Sequence, residues 1–305
     1  MTKTSDFAVP AQDAARLSEA KPGDDQNVRR AALAALIGTM LENYDFVIYG
    51  TASALVFSQV FFPSISPAAG MIASFGAYAI GFLARPLGGL FFSHYGETLG
   101  RKWVLVTTLF LMGGSTFAIG CLPTYETLGV WAPILLVMCR FFQGFGSGAE
   151  QSGGATLLVE MAPPGKRGRL ASLVMVGAAL GTVAGALAWF GVHQLPAGAM
   201  ESWGWRAVFW SSILVTIAAF VIRRKLSESP VFLELKKKED VEHRAPLKEV
   251  ARHGMKNVIK VILMNWGVST QSYTYQVFMI SYLITVNGGE ILGQRGGAKA
   301  GHGWR

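Results

Sequence analysis

Charged residues are nearly absent from long intervals of this chain and return in short clusters between them. Seven intervals fit this description: 31–57, 68–93, 103–122, 131–159, 170–196, 207–222 and 261–289. Most reach the roughly 20 apolar residues that one α-helix needs to cross about 30 Å of hydrocarbon. Only 207–222 is short, and Trp203, Trp205 and a snorkelling Arg206 extend it at the interface. The pattern predicts an all-α polytopic membrane protein. Its expected divisions are a cytoplasmic, mostly disordered tail over 1–29, six helices over 30–223, a basic cytoplasmic loop over 224–256, a seventh transmembrane helix over 257–286 and a Gly-rich tail over 287–305. That last stretch, NGGEILGQRGGAKAGHGWR, is aperiodic and basic, and reads as an aberrant ending or a short extracytoplasmic tail.

Composition agrees with the pattern. The 305 residues are 51% hydrophobic and only 15% charged, against about 25% charged in soluble domains. The net charge of +8 could suggest nucleic acid, but its placement orients a membrane protein instead. Arg101 and Lys102, then Lys166, Arg167 and Arg169, then eleven Lys or Arg over 223–260 fall in alternate connections. The opposite connections, 58–67, 123–130 and 197–204, hold no Lys or Arg. This asymmetry predicts a cytoplasmic N-terminus. No signal-peptide apolar core occurs in residues 1–29. Cys121 and Cys139 lie at or within spans without metal-ligand spacing, and are expected to be buried apolar residues. No phosphate-binding Gly-rich loop with Lys and no His/Cys/Asp metal spacing occurs, so an enzyme, a metal and a cofactor are not expected.

Against this apolar background Glu42 and Asp45 stand out in the middle of the first span, one turn apart on one face. An acid at the centre of a membrane helix costs about 2.5–3.5 kcal/mol on insertion scales, so such residues commonly mark ion or substrate paths. Arg140 in span four falls near the same depth. It can neutralise a first-span acid or hold a substrate carboxylate, and a purely structural Arg140–Asp45 bridge is the alternative. A carboxyl group removed from water favours its protonated form, so Asp45, with Glu42 in reserve, is the candidate proton carrier. Tyr49 and Glu150 complete the expected proton and substrate set. Arg140 and Glu150 are ten residues apart, about 15 Å along a helix, too far to pair directly. Arg85, nearer the end of span two, reads as a gate or snorkelling residue.

Several segments resemble the major facilitator superfamily. The connection ARPLGGLFFSHYGETLGRK, residues 84–102, is similar to its gate-loop signature, with Gly96, Glu97, Gly100, Arg101 and Lys102 at the matching positions. Ser93 stands where the family has its first glycine and Thr98 where it has its first basic residue. A second block, RFFQGFGSGAEQSGGATLLVEMAPPGKRGR, places Gly144, Gly146, Gly148, Glu160 and Arg167 at the spacing of a further family motif. The glycines by themselves read as helix-packing contacts, as do Gly177, Gly181 and Gly185 in span five. ENYDFVIYGTASALVF, RPLGG and SESPVF resemble the metabolite:proton symporter branch, and the likeness runs from about residue 30 to residue 286.

The resemblance implies the N-terminal six-helix half of a facilitator-type transporter, built from two inverted three-helix repeats, followed by one further helix that packs poorly against it. It implies a secondary transporter that couples a small anionic or zwitterionic metabolite to a proton, driven by the proton gradient. The implied location is a bacterial inner membrane, with no nucleic acid and no obligate protein partner. The alternative is a truncated, non-transporting remnant of such a carrier.

Overall fold

The structure, a computed structural model, describes residues 25–163, 165–196, 198–228 and 254–273. The chain divides into two units, Met1–Asp240 and Val241–Arg305. In the first, the helices are α1 (Asp25–Leu55), α2 (Phe57–Phe61), α3 (Pro67–Leu99), α4 (Arg101–Cys121), α5 (Tyr125–Leu128), α6 (Trp131–Ser147), α7 (Glu150–Met161), α8 (Arg167–Ala171), α9 (Leu173–His193) and α10 (Trp205–Arg224). In the second, α11 spans Met255–Tyr273. Residues 1–24 of the expected tail 1–29, the tail 287–305, loop residues 229–253 and the remainder of the seventh span, 274–286, lie outside the described residues; residues 25–29, expected in the disordered tail, instead open α1.

Among the described residues five helices are long and apolar enough to cross a bilayer: Asp25–Leu55, Pro67–Gly96, Arg101–Cys121, Arg167–His193 and Ser202–Arg224. The expected fourth span, 131–159, is divided in two. It runs as α6, turns at Gly148 and Ala149, and resumes as α7. The Gly-rich run GFGSGAEQSGG explains the break, since each glycine weakens a helix by about 1 kcal/mol relative to Ala. Large apolar side chains point outward all round: Ile72 and Leu83 are each 73% exposed and Leu214 is 70% exposed. An outer surface of this kind suits lipid, and helices satisfy their own backbone there.

The helix pairing carries the repeat. α1 packs most closely on α9, α3 on α6, and α4 on α10, with α4 also against α6 and α1 against α10. In span order these pairs are one with five, two with four and three with six. Exchanging the first three spans for the last three leaves that set unchanged, the pattern expected of two three-helix repeats.

Glycines make the close pairs possible. A Cβ on Gly144 of α6 would run into the carbonyl of Gly81 in α3, and one on Gly148 into the carbonyl of Arg85. Gly146 faces Leu111 and Met112 of α4, while Gly177 and Gly181 of α9 lie against the carbonyls of Leu36 and Met40 in α1. In lipid, close backbone approach of this kind replaces the hydrophobic effect as the source of helix association. Gly144→Val is therefore expected to force α3 and α6 apart. The expected loss is about 1–3 kcal/mol or more, as for other overpacked cores, read as a lower unfolding temperature in detergent; an unchanged temperature would contradict the contact.

The connection between spans two and three is far shorter than the sequence suggests. α3 continues to Leu99 and α4 starts at Arg101, so Gly96 and Glu97 are helical and Gly100 alone turns the chain. Its φ of 102° lies in the region that favours glycine. Arg206, expected to snorkel at the interface, finds its partners at the end of a neighbouring span. It donates to the carbonyls of Gly120 (2.9 Å) and Leu122 (2.5 Å) at the C-terminal end of α4, with its guanidinium over the Trp205 ring. Open carbonyls at the C-terminal end of a helix favour a nearby cation. Both cysteines are free; Cys121 is exposed and Cys139 half-buried, so neither is the fully buried residue expected.

Candidate functional site

Two apolar clusters occupy the ends of the bundle. One gathers Ile48, Phe57, Phe61, Trp189, Trp205 and Phe209; the other gathers Ala31, Leu105, Leu157, Leu158 and Leu226 around the end that carries the basic residues. Between them lies a layer of buried polar side chains. Glu42 and Asp45 from α1, Phe46, Met112 from α4, and Arg140, Gln143, Gly144 and Ser147 from α6 line a small cleft there. Glu42 and Asp45 are each 2% exposed and Arg140 is 1% exposed.

The structure brings Glu42, Asp45 and Arg140 to one cleft but gives each a different partner. Glu42 Oε1 accepts from Arg85 Nη2 at 2.5 Å. Asp45 Oδ2 accepts from the Thr116 hydroxyl at 2.7 Å. Arg140 donates to Gln143 Oε1, and the Gln143 amide donates to Thr116 Oγ1 at 2.6 Å. The Arg140 guanidinium also lies 4.3 Å from the Tyr49 ring centre and 4.5 Å from that of Tyr78, which are themselves stacked. Cation–π contact of this kind fixes a guanidinium without consuming its donors. Arg140 Nε and Nη2, Glu42 Oε2, Asp45 Oδ1 and the Tyr49 hydroxyl have no hydrogen-bond partner among the described residues. Unpaired buried polar atoms are costly, and Glu42, Asp45 and Arg140 border a cleft of about 10 Å³, room for about one water. The structural Arg140–Asp45 bridge is absent among the ion pairs of the described residues.

Glu150 does not line this cleft. It sits at the start of α7, 1% exposed, and forms an ion pair with Arg223 of α10, which is fully buried. Thr108 donates to Glu150 Oε2 at 2.8 Å, and Arg223 also donates to the carbonyl of Ala34 at 3.3 Å. The pair therefore joins α1, α4, α7 and α10. The sequence placed Glu150 among the proton and substrate residues because its partner, Arg223, sits at the edge of the basic cluster and looked like an interfacial charge.

At the basic end Arg101 Nη2 lies 3.5 Å from Glu160 Oε1, which brings the two expected family motifs together. The carboxylate at the start of α4 is that of Glu228; the Glu97 side chain is outside the described set. Glu228 Oε1 accepts from the backbone N–H of Arg101 at 2.9 Å and of Lys102 at 3.2 Å. Lys102 Nζ donates to the carbonyl of Arg224 at 3.0 Å. A carboxylate on the first free amides of a helix satisfies them and complements the helix dipole. Arg167 opens α8 and is half-buried. Glu228→Ala is expected to destabilise the start of α4 by about 1 kcal/mol, seen as faster hydrogen exchange at the Arg101 and Lys102 amides. Unchanged exchange at those two amides would count against the contact.

The model of the family described as sugar (and other) transporter matches residues 31–286. The chain belongs to this family of the major facilitator superfamily. It is 38% identical to the shikimate transporter of Escherichia coli K12 over 257 residues, which is 83% of this chain and 58% of that protein. It is 38% identical over 263 residues to an inner membrane metabolite transport protein of the same strain, covering 84% and 57%. With the E. coli K12 proline/betaine transporter it shares 35% over 269 residues, covering 85% and 54%. The chain thus spans a little over half the length of these relatives. Among solved structures it resembles a D-xylose–proton symporter with a TM-score of 0.64 at 18% identity, covering 82% of this chain and 59% of the other. It also resembles an inward-open E. coli xylose transporter, with a TM-score of 0.61 at 19% identity, covering 75% and 57%. At that identity the likeness establishes the facilitator fold.

Within the facilitator half, the sequence identified the span-one acids and Arg140 but missed their neighbours. Gln143 and Ser147 were visible as polar residues at helical spacing from Arg140 inside an apolar run. Arg85, expected as a gate or snorkelling residue, pairs with Glu42, 43 residues away, and no local spacing links the two. Thr116 gave no signal, since a lone Thr in a membrane helix ordinarily bonds to its own backbone, as it also does here to Met112.

Proposed function

We propose that this chain is the N-terminal half of a proton-coupled symporter for a small organic metabolite that carries a carboxylate, either anionic or zwitterionic. Asp45 carries the proton and Arg140 receives the carboxylate. A single observation supports the reading: two buried groups of opposite charge share one cleft without pairing, each with polar atoms left open. Protonation of Asp45 removes a negative charge from the cleft and leaves Arg140 to attract an anion; departure of the solute leaves the Arg140 charge uncompensated and favours release of the proton. Coupling needs one group whose protonation alters the free energy of the loaded state. No cofactor enters this scheme, because the proton gradient supplies the driving force.

The positive-inside asymmetry supports a cytoplasmic N-terminus. The E. coli inner-membrane relative supports a bacterial inner membrane as the location. Shikimate and proline or betaine, named for the relatives, are the first solutes to test. The decisive experiment is uptake into proteoliposomes by a full-length transporter carrying this half, under an imposed pH gradient. The expected result is accumulation of a carboxylate-bearing solute that a protonophore collapses. Accumulation indifferent to the protonophore would overturn proton coupling.

A further inference from the structure

Glu42 and Asp45 lie one turn apart on α1, line the same cleft and are equally buried, yet their partners differ in kind. Glu42 has a guanidinium in direct contact, Arg85 at 2.5 Å. Asp45 has a neutral one, the Thr116 hydroxyl at 2.7 Å, and no ion-pair partner among the described residues. Arg85 is itself fixed from several sides. Its Nε donates to Ser147 Oγ at 2.9 Å, and its guanidinium lies 4.1 Å from the Phe46 ring centre and 5.3 Å from that of Phe82. We propose that Arg85 is a positioning residue that holds Glu42 as a fixed counter-charge, so that Asp45 alone of the two acids exchanges a proton during transport.

The proposal rests on the proton-coupled reading above and assigns the two acids separate tasks. Arg85 and Arg140 both lie against Phe46, Arg140 at 5.3 Å from its centre. Neutralising Glu42 would leave two cations against one aromatic ring, with Arg85 deprived of its carboxylate partner. Neutralising Asp45 needs only a hydroxyl that turns from donor to acceptor, which Thr116 can do. The other ionisable groups facing this region do not alter the assignment. Glu150 from α7 is committed to Arg223 of α10, while Tyr49 of α1 and Tyr78 of α3 present their ring faces to Arg140. α9 meets α1 through glycines.

A charge-pair test in the full-length transporter separates this from a direct role for either residue. Glu42→Gln and Arg85→Gln each leave one charge without its partner, and each is expected to lower pH-gradient-driven accumulation about tenfold or more. Glu42→Gln/Arg85→Gln removes both charges together. It is expected to recover accumulation to within about threefold of wild type, with the wild-type pH profile, since the loss of a whole buried pair costs far less than half of it. Arg85→Lys keeps the charge and should retain more activity than Arg85→Gln. Where a single variant fails to insert, the double variant still decides. A correctly inserted double variant that does not accumulate solute, or does so with a shifted pH profile, overturns the proposal, because Glu42 or Arg85 then acts on solute or proton directly. A wild-type protein without proton-driven uptake would instead remove the coupled reading itself.

Discussion

Asp45→Asn is expected to abolish uphill accumulation by the full-length carrier while leaving solute exchange in place. The amide has the shape of the protonated carboxyl group and cannot lose a proton, so the carrier can load and reorient but cannot respond to the gradient. Asp45 is positioned for this role at the centre of α1, 2% exposed, with one oxygen on Thr116 and the other open. Two assays on the same vesicles separate the steps. Uptake driven by an imposed pH gradient should fall to the level of empty liposomes, a loss of about 100-fold or more, the scale on which removal of a proton-transfer group is felt. Counterflow of labelled solute, with no gradient, should persist. If gradient-driven uptake survives in Asp45→Asn, the proton travels by another group and the central assignment fails. If counterflow disappears as well, Asp45 is a solute ligand or a structural residue.

Much of this architecture was legible in the sequence because a bilayer imposes strong constraints. Nearly charge-free intervals located the first, second, third, fifth and sixth spans, the short sixth with help from its flanking Trp203, Trp205 and Arg206, since lipid penalises a charge wherever it falls. Glu42, Asp45 and Arg140 were legible for the same reason: they are charges inside otherwise apolar runs. The pairings were not. Glu42 with Arg85 and Glu150 with Arg223 join residues 43 and 73 positions apart, and partner choice depends on how helices rotate against one another. Those rotations follow from glycine contacts such as Gly144 on Gly81 and Gly181 on Met40, and a glycine in a sequence does not name the backbone that it meets. The break in the fourth span was hidden too. Apolar residues flank the Gly148–Ala149 turn on both sides, so hydropathy passes over it. Glu228 illustrates a further limit. Its segment matched a family pattern, but its contact with the first amides of α4 spans 127 positions.

The Glu150–Arg223 pair carries the second large expected effect, this time on stability. Both side chains are almost wholly buried and hold four helices together through Thr108 and the carbonyls of Leu105 and Ala34. The site has no slack, since a Cβ on Gly38 would collide with Arg223 Nη2 and Glu150 Oε1. Arg223→Leu strands a buried carboxylate and is expected to lower the unfolding free energy by about 3–5 kcal/mol, the cost typical of breaking one side of such a pair. Glu150→Gln strands the guanidinium and should cost a comparable amount. The double variant should cost clearly less than the sum of the singles, because the two residues act as a unit. Unfolding in detergent, followed through the reactivity of half-buried Cys139, measures all three proteins. Strict additivity would show that the two side chains are not coupled. The same variants also settle where Glu150 belongs. If Glu150→Gln loses proton-driven accumulation while its unfolding is unchanged, Glu150 is part of the proton path that its sequence position suggested. If stability falls and the surviving folded fraction still accumulates solute against a pH gradient, Glu150 is a structural counter-charge.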